Sequence, residues 1–232
     1  MRRRISQLER ENEQLAFPLT LHRFAHSFEL VTTVELDDAA GEPILRARFD
    51  RDALRRGEPV VLVDGADDGT VLLRLRVVEA GRLIGYSVSP SDGPVIGGLV
   101  SSFRPEARPQ LRFYRPDGEE CGRLIAQGVW KRTLGLLPFM EFRPAFGPPG
   151  SRTHPYYRID VEGQPRMSLR HADPDPQHYP PDTTASSIAV EKHHAFGAVD
   201  ERLILAGLAV MAGHHHLDAF SGDIFAWLAL WS

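Results

Sequence analysis

Cysteine occurs once in the 232 residues, at Cys121, which excludes an internal disulfide and any zinc site built from several thiolates. Lysine is nearly as scarce. Lys131 and Lys192 are the only two, so positive charge is carried by arginine. The formal net charge is −4, and no whole-chain attraction to nucleic acid is expected. Also lacking is an uninterrupted apolar run of about 20 residues, the length a bilayer core asks of a helix. Arg2, Arg3 and Arg4 are followed by a mostly polar stretch, Ser6 to Gln14, and not by the apolar core of a secretory signal. Cytoplasmic residence is therefore expected, with peripheral attachment to a membrane as a variant of it. Gly-x-Ser-x-Gly and the glycine-rich phosphate cradles are absent as well. No catalytic group is singled out, and neither a cofactor nor a metal is expected.

Against these absences stands the stretch Asp200 to Gly213. After a charged first turn (Asp200, Glu201, Arg202), every position from Leu203 to Ala212 is apolar or glycine. Its large side chains are Leu203, Ile204, Leu205, Leu208, Val210 and Met211, and no helical phase leaves a polar face. A helix that is hydrophobic all round is buried on all sides. It is too short to span a membrane and stops at His214, His215 and His216, so it is expected inside protein, wrapped by the chain before it.

That chain reads as short strands. Phe28 to Glu35, Pro43 to Phe49, Pro59 to Val63, Thr70 to Glu79, Leu83 to Val88 and Val95 to Val100 are β-branched or alternating runs separated by turn residues. A unit recurs in which a strand with an aromatic residue leads to an aspartate and, a few places on, a glycine. It appears as Tyr86 to Gly93, Phe113 to Gly118 and Tyr157 to Gly163, with a looser copy at Val34 to Gly41. Aspartate caps such turns and glycine supplies a positive φ. A β-meander accounts best for residues 19–195. Two proline-rich stretches interrupt it: Leu134 to Pro155, expected as a loop around a strand at Phe139 to Phe142, and Asp173 to Asp182, expected as a surface excursion.

Several residues suggest chemistry. His193 and His194 precede the helix and His214 to His216 follow it, so a fold that joined the two groups could hold a metal. His22 and His26 have the spacing of one helix face but lack the glutamate of a His-Glu-x-x-His motif. Asp173, Asp175 and Asp182 resemble a calcium loop only superficially, because the prolines between them forbid the required geometry. Trp130, Lys131 and Arg132, with Arg143 further on, have the composition of a surface that contacts an anionic headgroup. A solvated strand end is the plainer reading of the same residues.

The two termini stand apart. Ile5, Leu8, Asn12 and Leu15 hold a coiled-coil spacing for fewer than two heptads, which suits a short polar helix or arm over residues 1–18. Residues 221–232 form an apolar tail whose Ile224, Phe225, Trp227, Leu228 and Trp231 suit a protein partner, self-association or a membrane surface. Residues 19–220 lie between them as one domain, with the helix at about 200–213.

The turn units, together with Asp200 to Gly213 and the following His214 to Phe220, resemble the phospholipid scramblase and LURP-one-related family. The resemblance implies the tubby C-terminal-like fold, a closed antiparallel β-barrel enclosing a hydrophobic C-terminal α-helix, and a non-catalytic module that binds lipid headgroups, a membrane surface or a protein. The chain departs from the scramblase pattern where an acidic segment would precede the helix, since Ala189 to Ala198 offers only Glu191 as a carboxylate. A proline-rich arm and a cysteine cluster are missing as well, so calcium-triggered lipid transfer is not expected. The alternative is a calycin-like barrel or enzyme with an open lumen for a small molecule, the apolar helix packing outside.

Overall fold

The computed structural model describes residues 17–26, 31–67, 69–80, 83–102, 110–126, 129–133, 141–145, 157–172 and 183–213. The N-terminal heptads, the aspartate-proline stretch from Asp173 to Asp182, His214 to His216 and the apolar tail lie outside the described residues.

The strands are β1 (Leu19–His26), β2 (Val31–Asp37), β3 (Pro43–Asp50), β4 (Val60–Asp64), β5 (Val71–Ala80), β6 (Leu83–Pro90), β7 (Gly97–Ser102), β8 (Gln110–Tyr114), β9 (Glu120–Ala126), β10 (Val129–Thr133), β11 (Glu141–Ala145), β12 (Tyr157–Val161), β13 (Gln164–Ala172) and β14 (Thr183–Lys192). A short helix α1 (Arg51–Arg55) follows β3, and α2 (Glu201–Gly213) follows β14. Twelve strands close into an antiparallel barrel in the order β1-β14-β13-β12-β9-β8-β7-β6-β5-β4-β3-β2, while β10 and β11 pair only with each other. Closure is made by β1, which pairs with β14 from Leu19↔Val190 to His26↔Thr183 and with β2 on its other side.

The barrel follows from period-two patterning. In β12, Tyr157, Ile159 and Val161 are buried while Arg158 and Asp160 alternate with them. In β3, Leu45, Ala47 and Phe49 are buried between Arg46 and Arg48. Successive side chains of a strand point to opposite faces, so one set lines the lumen and the other the exterior.

About eight strands make a barrel that side chains alone can fill. Twelve leave a wider lumen, and α2 occupies it. The helix contacts β1, β2, β3, β5, β7 and β8, and β2 and β8 lie on opposite sides of the ring. Close fit is visible at two glycines: a Cβ on Gly207 would sit 2.3 Å from Phe113 Cε1 in β8, and one on Gly213 would sit 2.3 Å from Phe49 Cδ2 in β3. Leu203, Ile204, Leu208, Val210 and Met211 are all buried in the core cluster. Leu205 departs from the expected uniform burial: it is only partly buried.

Alternate connections fall at alternate ends of the barrel. The turns 38–42, 65–70, 91–96, 115–119 and 162–163 and the lead-in to α2 share one end, here called the turn end. Every recurring aspartate-glycine unit belongs to it. Its capping role is confined to particular aspartates. Asp38 Oδ1 accepts from Ala40 and Glu42 N–H, and Asp117 Oδ1 accepts from Glu119 N–H beside Gly118 at φ +88°. Asp37 and Asp160, expected to cap as well, lie instead against His22 Nε2 at 3.2 Å and Arg158 Nε at 2.7 Å. At this end Lys192 bonds Glu201 at the start of α2 and lies over the rings of Phe17 and Phe196, fastening the helix to β14 and to the approach of β1.

One local expectation is corrected and two further placements are made. The strand expected at Phe139 to Phe142 is β11, which begins at Glu141 and runs to Ala145, so the loop expected from Leu134 to Pro155 contains a strand that includes Arg143 and Pro144. His22 and His26 lie on strand β1 and do not share a helix face. Residues 51–55, unassigned in the sequence, form α1 because Asp50 accepts hydrogen bonds from the N–H groups of Asp52 and Ala53 as its N-cap.

Burial of α2 gives a graded prediction. Leu208→Asp places an unpaired carboxylate in the core and is expected to prevent folding, whereas Leu205→Asp, at the partly buried position, should yield folded but destabilised protein. Gly207→Ala should cost about 1–3 kcal/mol by overpacking against Phe113. Urea unfolding followed by circular dichroism measures all three.

Candidate functional site

The basic hairpin is placed by backbone register. The segment 127–156 leaves the barrel after β9 and returns at β12, two strands that pair with each other directly. It therefore departs from the end opposite the turns, where the chain also leaves α2. Within it, β10 and β11 bring Lys131 opposite Arg143, Trp130 opposite Pro144 and Arg132 opposite Phe142. Two cationic residues twelve positions apart in sequence thus become cross-strand partners. The antiparallel register, invisible in the sequence, is what joins them.

The turn end is rich in carboxylates. Asp38, Asp64, Asp67, Asp117, Glu119 and Glu162 all lie in or beside its turns. Arg115 there bonds both Glu119 and Glu162 at 2.7 Å. This acidic rim lies opposite the end from which the segment 127–156 departs.

His193 and His194 lie at the turn end, and the chain leaves α2 at the other, one 13-residue helix or about 20 Å away. His214 to His216, the other half of the suggested metal site, lie outside the described residues. Among the described residues no group of three or more His, Cys, Asp or Glu is placed to hold a metal ion. His193 Nε2 instead lies 2.9 Å from Ser168 Oγ.

A different constellation escaped the sequence reading. His22 Nδ1 lies 2.9 Å from Ser187 Oγ and His22 Nε2 lies 3.2 Å from Asp37 Oδ2. A serine, histidine and aspartate in this order resemble a nucleophilic relay, yet Ser187 is 1 % exposed. A nucleophile so enclosed does not meet a substrate carbonyl. The three residues sit on β14, β1 and β2, across the strand that closes the barrel, and their chemistry is that of a seam. Arg23 was missed too. It shares the parity of Leu19 and Leu21, is 3 % exposed, and burial lowers its pKa to about 10. Alternation alone could have flagged it as a cation on the lumen side.

Comparison with protein-family models, curated proteins and solved structures finds no match for this chain. Function is accordingly read from the geometry. Cys121 is buried, and burial raises its thiol pKa, so it is held as the unreactive thiol. The Tyr157 hydroxyl is likewise pushed well above its usual pKa by burial. With α2 on the inner faces of both β2 and β8, the lumen is occupied by protein, and the exterior is where a ligand can be met.

If the serine-histidine-aspartate group is a seam, His22→Ala should lower stability by about 1–2 kcal/mol through the loss of two partly buried hydrogen bonds. The paired variant Asp37→Asn should lower it less than additively, because both changes remove one shared interaction. Thermal melts of the two single variants and the double variant provide the cycle.

Proposed function

We propose that this protein is a non-catalytic barrel module, resembling scramblase and LURP-one-related proteins, whose exterior binds an anionic lipid headgroup at a membrane surface. The observation that carries this reading is the filling of the lumen by α2, which turns recognition outward. The hairpin supports the choice of ligand. Like charges placed directly opposite in a sheet repel, and an anion between Lys131 and Arg143 relieves that repulsion. Trp130 and Arg132 flank the pair in sequence, and aromatic-cationic surfaces suit the headgroup layer. The acidic rim at the far end would turn that end away from an anionic surface and orient the barrel with the hairpin toward it.

Flotation of the whole chain over neutral, anionic and phosphoinositide-containing vesicles, with and without calcium, tests the reading. Binding is expected only with anionic lipid, to weaken with salt and to be indifferent to calcium. Lys131→Ala/Arg132→Ala should weaken it by about 2 kcal/mol, or roughly thirtyfold, at about 1 kcal/mol per charge near the surface. Failure to bind any vesicle would overturn the lipid reading in favour of a protein partner or self-association through Ile224, Phe225, Trp227, Leu228 and Trp231.

A further inference from the structure

The outer face of β3, β4 and β5 carries a group of arginines with few carboxylate partners among the described residues. The β3–β4 ladder runs only from Leu45↔Asp64 to Ala47↔Leu62. Beyond it β3 continues to Asp50, the chain turns through α1, and β4 begins at Val60. The parted strands leave an external groove lined by Pro59, Val61 and Val63 on one side and by Arg46, Arg48 and Asp50 on the other. Across β4, the register sets Arg74 of β5 opposite Val61, and Arg76 and Val78 follow on the same face at the two-residue spacing of a strand. Arginines thus stand on both sides of a valine strip, roughly 10 Å apart across β4 and roughly 7 Å apart along each strand.

Several other exterior arginines have carboxylates, Arg166 being an exception among the described residues. Arg158 bonds Asp160, Arg123 bonds Glu120, and Arg170 lies 3.5 Å from Glu191. On this face Arg46 is taken by Glu35 at 2.7 Å. Asp50 turns its carboxylate into the N-terminus of α1, where hydrogen bonds from the N–H groups of Ala53 and Asp52, helped by the nearby charges of Arg48 and Arg56 and opposed by burial, hold its pKa below the usual range. Among the described residues no carboxylate lies within salt-bridge distance of Arg48, Arg74 or Arg76. The Nε of Arg74 is buried without a hydrogen-bond partner. Beside these cations Val78 is 51 % exposed.

We propose that this face is a second membrane contact, in which Arg48, Arg74 and Arg76 take the phosphates of anionic phospholipids and Val78 enters the boundary between headgroups and acyl chains. Charge complementarity calls for an anion. Exposed valine among the arginines favours a lipid interface, which is polyanionic and apolar within a few ångströms, over a soluble phosphate. Val78 lies toward the end of the barrel from which the segment 127–156 departs, and β3 to β5 stand across the ring from β9 and β12, so this face meets a membrane independently of the hairpin. The inference rests on the anionic-surface reading for its class of ligand, but on different residues, and the two can fail separately.

The test uses the full chain with vesicles of phosphatidylcholine alone and of phosphatidylcholine doped with phosphatidylserine, and three variants: Arg48→Glu/Arg76→Glu, Arg48→Lys/Arg76→Lys, and Lys131→Ala/Arg132→Ala. Thermal melts confirm folding, which is expected because Arg48 and Arg76 are exposed. Charge reversal should lower partitioning onto the doped vesicles by about tenfold or more and flatten its salt dependence, with the lysine variant retaining most of the binding. Val78→Ser should weaken the binding that survives at high salt. Loss in the hairpin variant with none in the Arg48→Glu/Arg76→Glu variant would overturn this inference and leave the hairpin reading intact; the reverse would overturn the hairpin and uphold this face. Vesicle binding by neither wild type nor variants would overturn both. In that case, binding of a polyglutamate peptide that is lost on charge reversal would assign the face to an acidic protein.

Discussion

A sheet closed at twelve strands encloses more space than its own inward side chains can fill, and the packing of α2 in that space is the constraint on which the rest of the structure depends. Ala206, Leu208, Val210 and Ala212 are completely enclosed, and Gly207 and Gly213 let the helix approach Phe113 and Phe49 where a β-carbon would collide. The alternation of barrel strands such as β3 and β12 answers to this helix, since a one-residue slip would turn a strand's apolar set outward. The helix is in turn fixed at its start by Asp200, whose carboxylate accepts from the N–H of Arg202, and by the bond between Lys192 and Glu201.

Filling the lumen has a functional consequence. A barrel with an open interior recognises ligands inside, whereas a filled one is left with its rims and its outer face. These are not alike. The short turns gather aspartates at one end because aspartate satisfies turn N–H groups, and the longer excursions, including the basic hairpin, fall at the other. The acidic rim thus arises from turn chemistry, yet its field acts on any charged surface the protein approaches. Among the described residues, exterior arginines such as Arg123 and Arg158 are neutralised by neighbouring carboxylates, while Arg48, Arg74 and Arg76 around Val61 have none within salt-bridge distance.

The seam is where closure depends on residues distant in the chain. His22 joins Ser187, 165 positions away, to Asp37 across the strand that completes the ring. Neither the four-residue spacing of His22 and His26 nor the clusters of consecutive histidines indicated this role. A histidine's function here follows from the strands beside it, and those are set by topology.

Much of the architecture was written locally. The all-apolar run at Leu203 to Ala212 required burial by itself, because no rotation about the helix axis offers water a polar face. The alternating runs and aspartate-glycine turns required antiparallel strands, because side-chain parity and positive φ are properties of a few adjacent residues. Tertiary structure alone decided the rest. Which strands meet at the seam, that Lys131 stands opposite Arg143, that Asp37 meets His22 while Asp38 caps the turn, and that no described carboxylate lies within salt-bridge distance of Arg48 or Arg76, as one does for Arg123 and Arg158, all depend on register between strands. A register is fixed by the summed packing of the barrel on its helix, and no short stretch of sequence contains that sum.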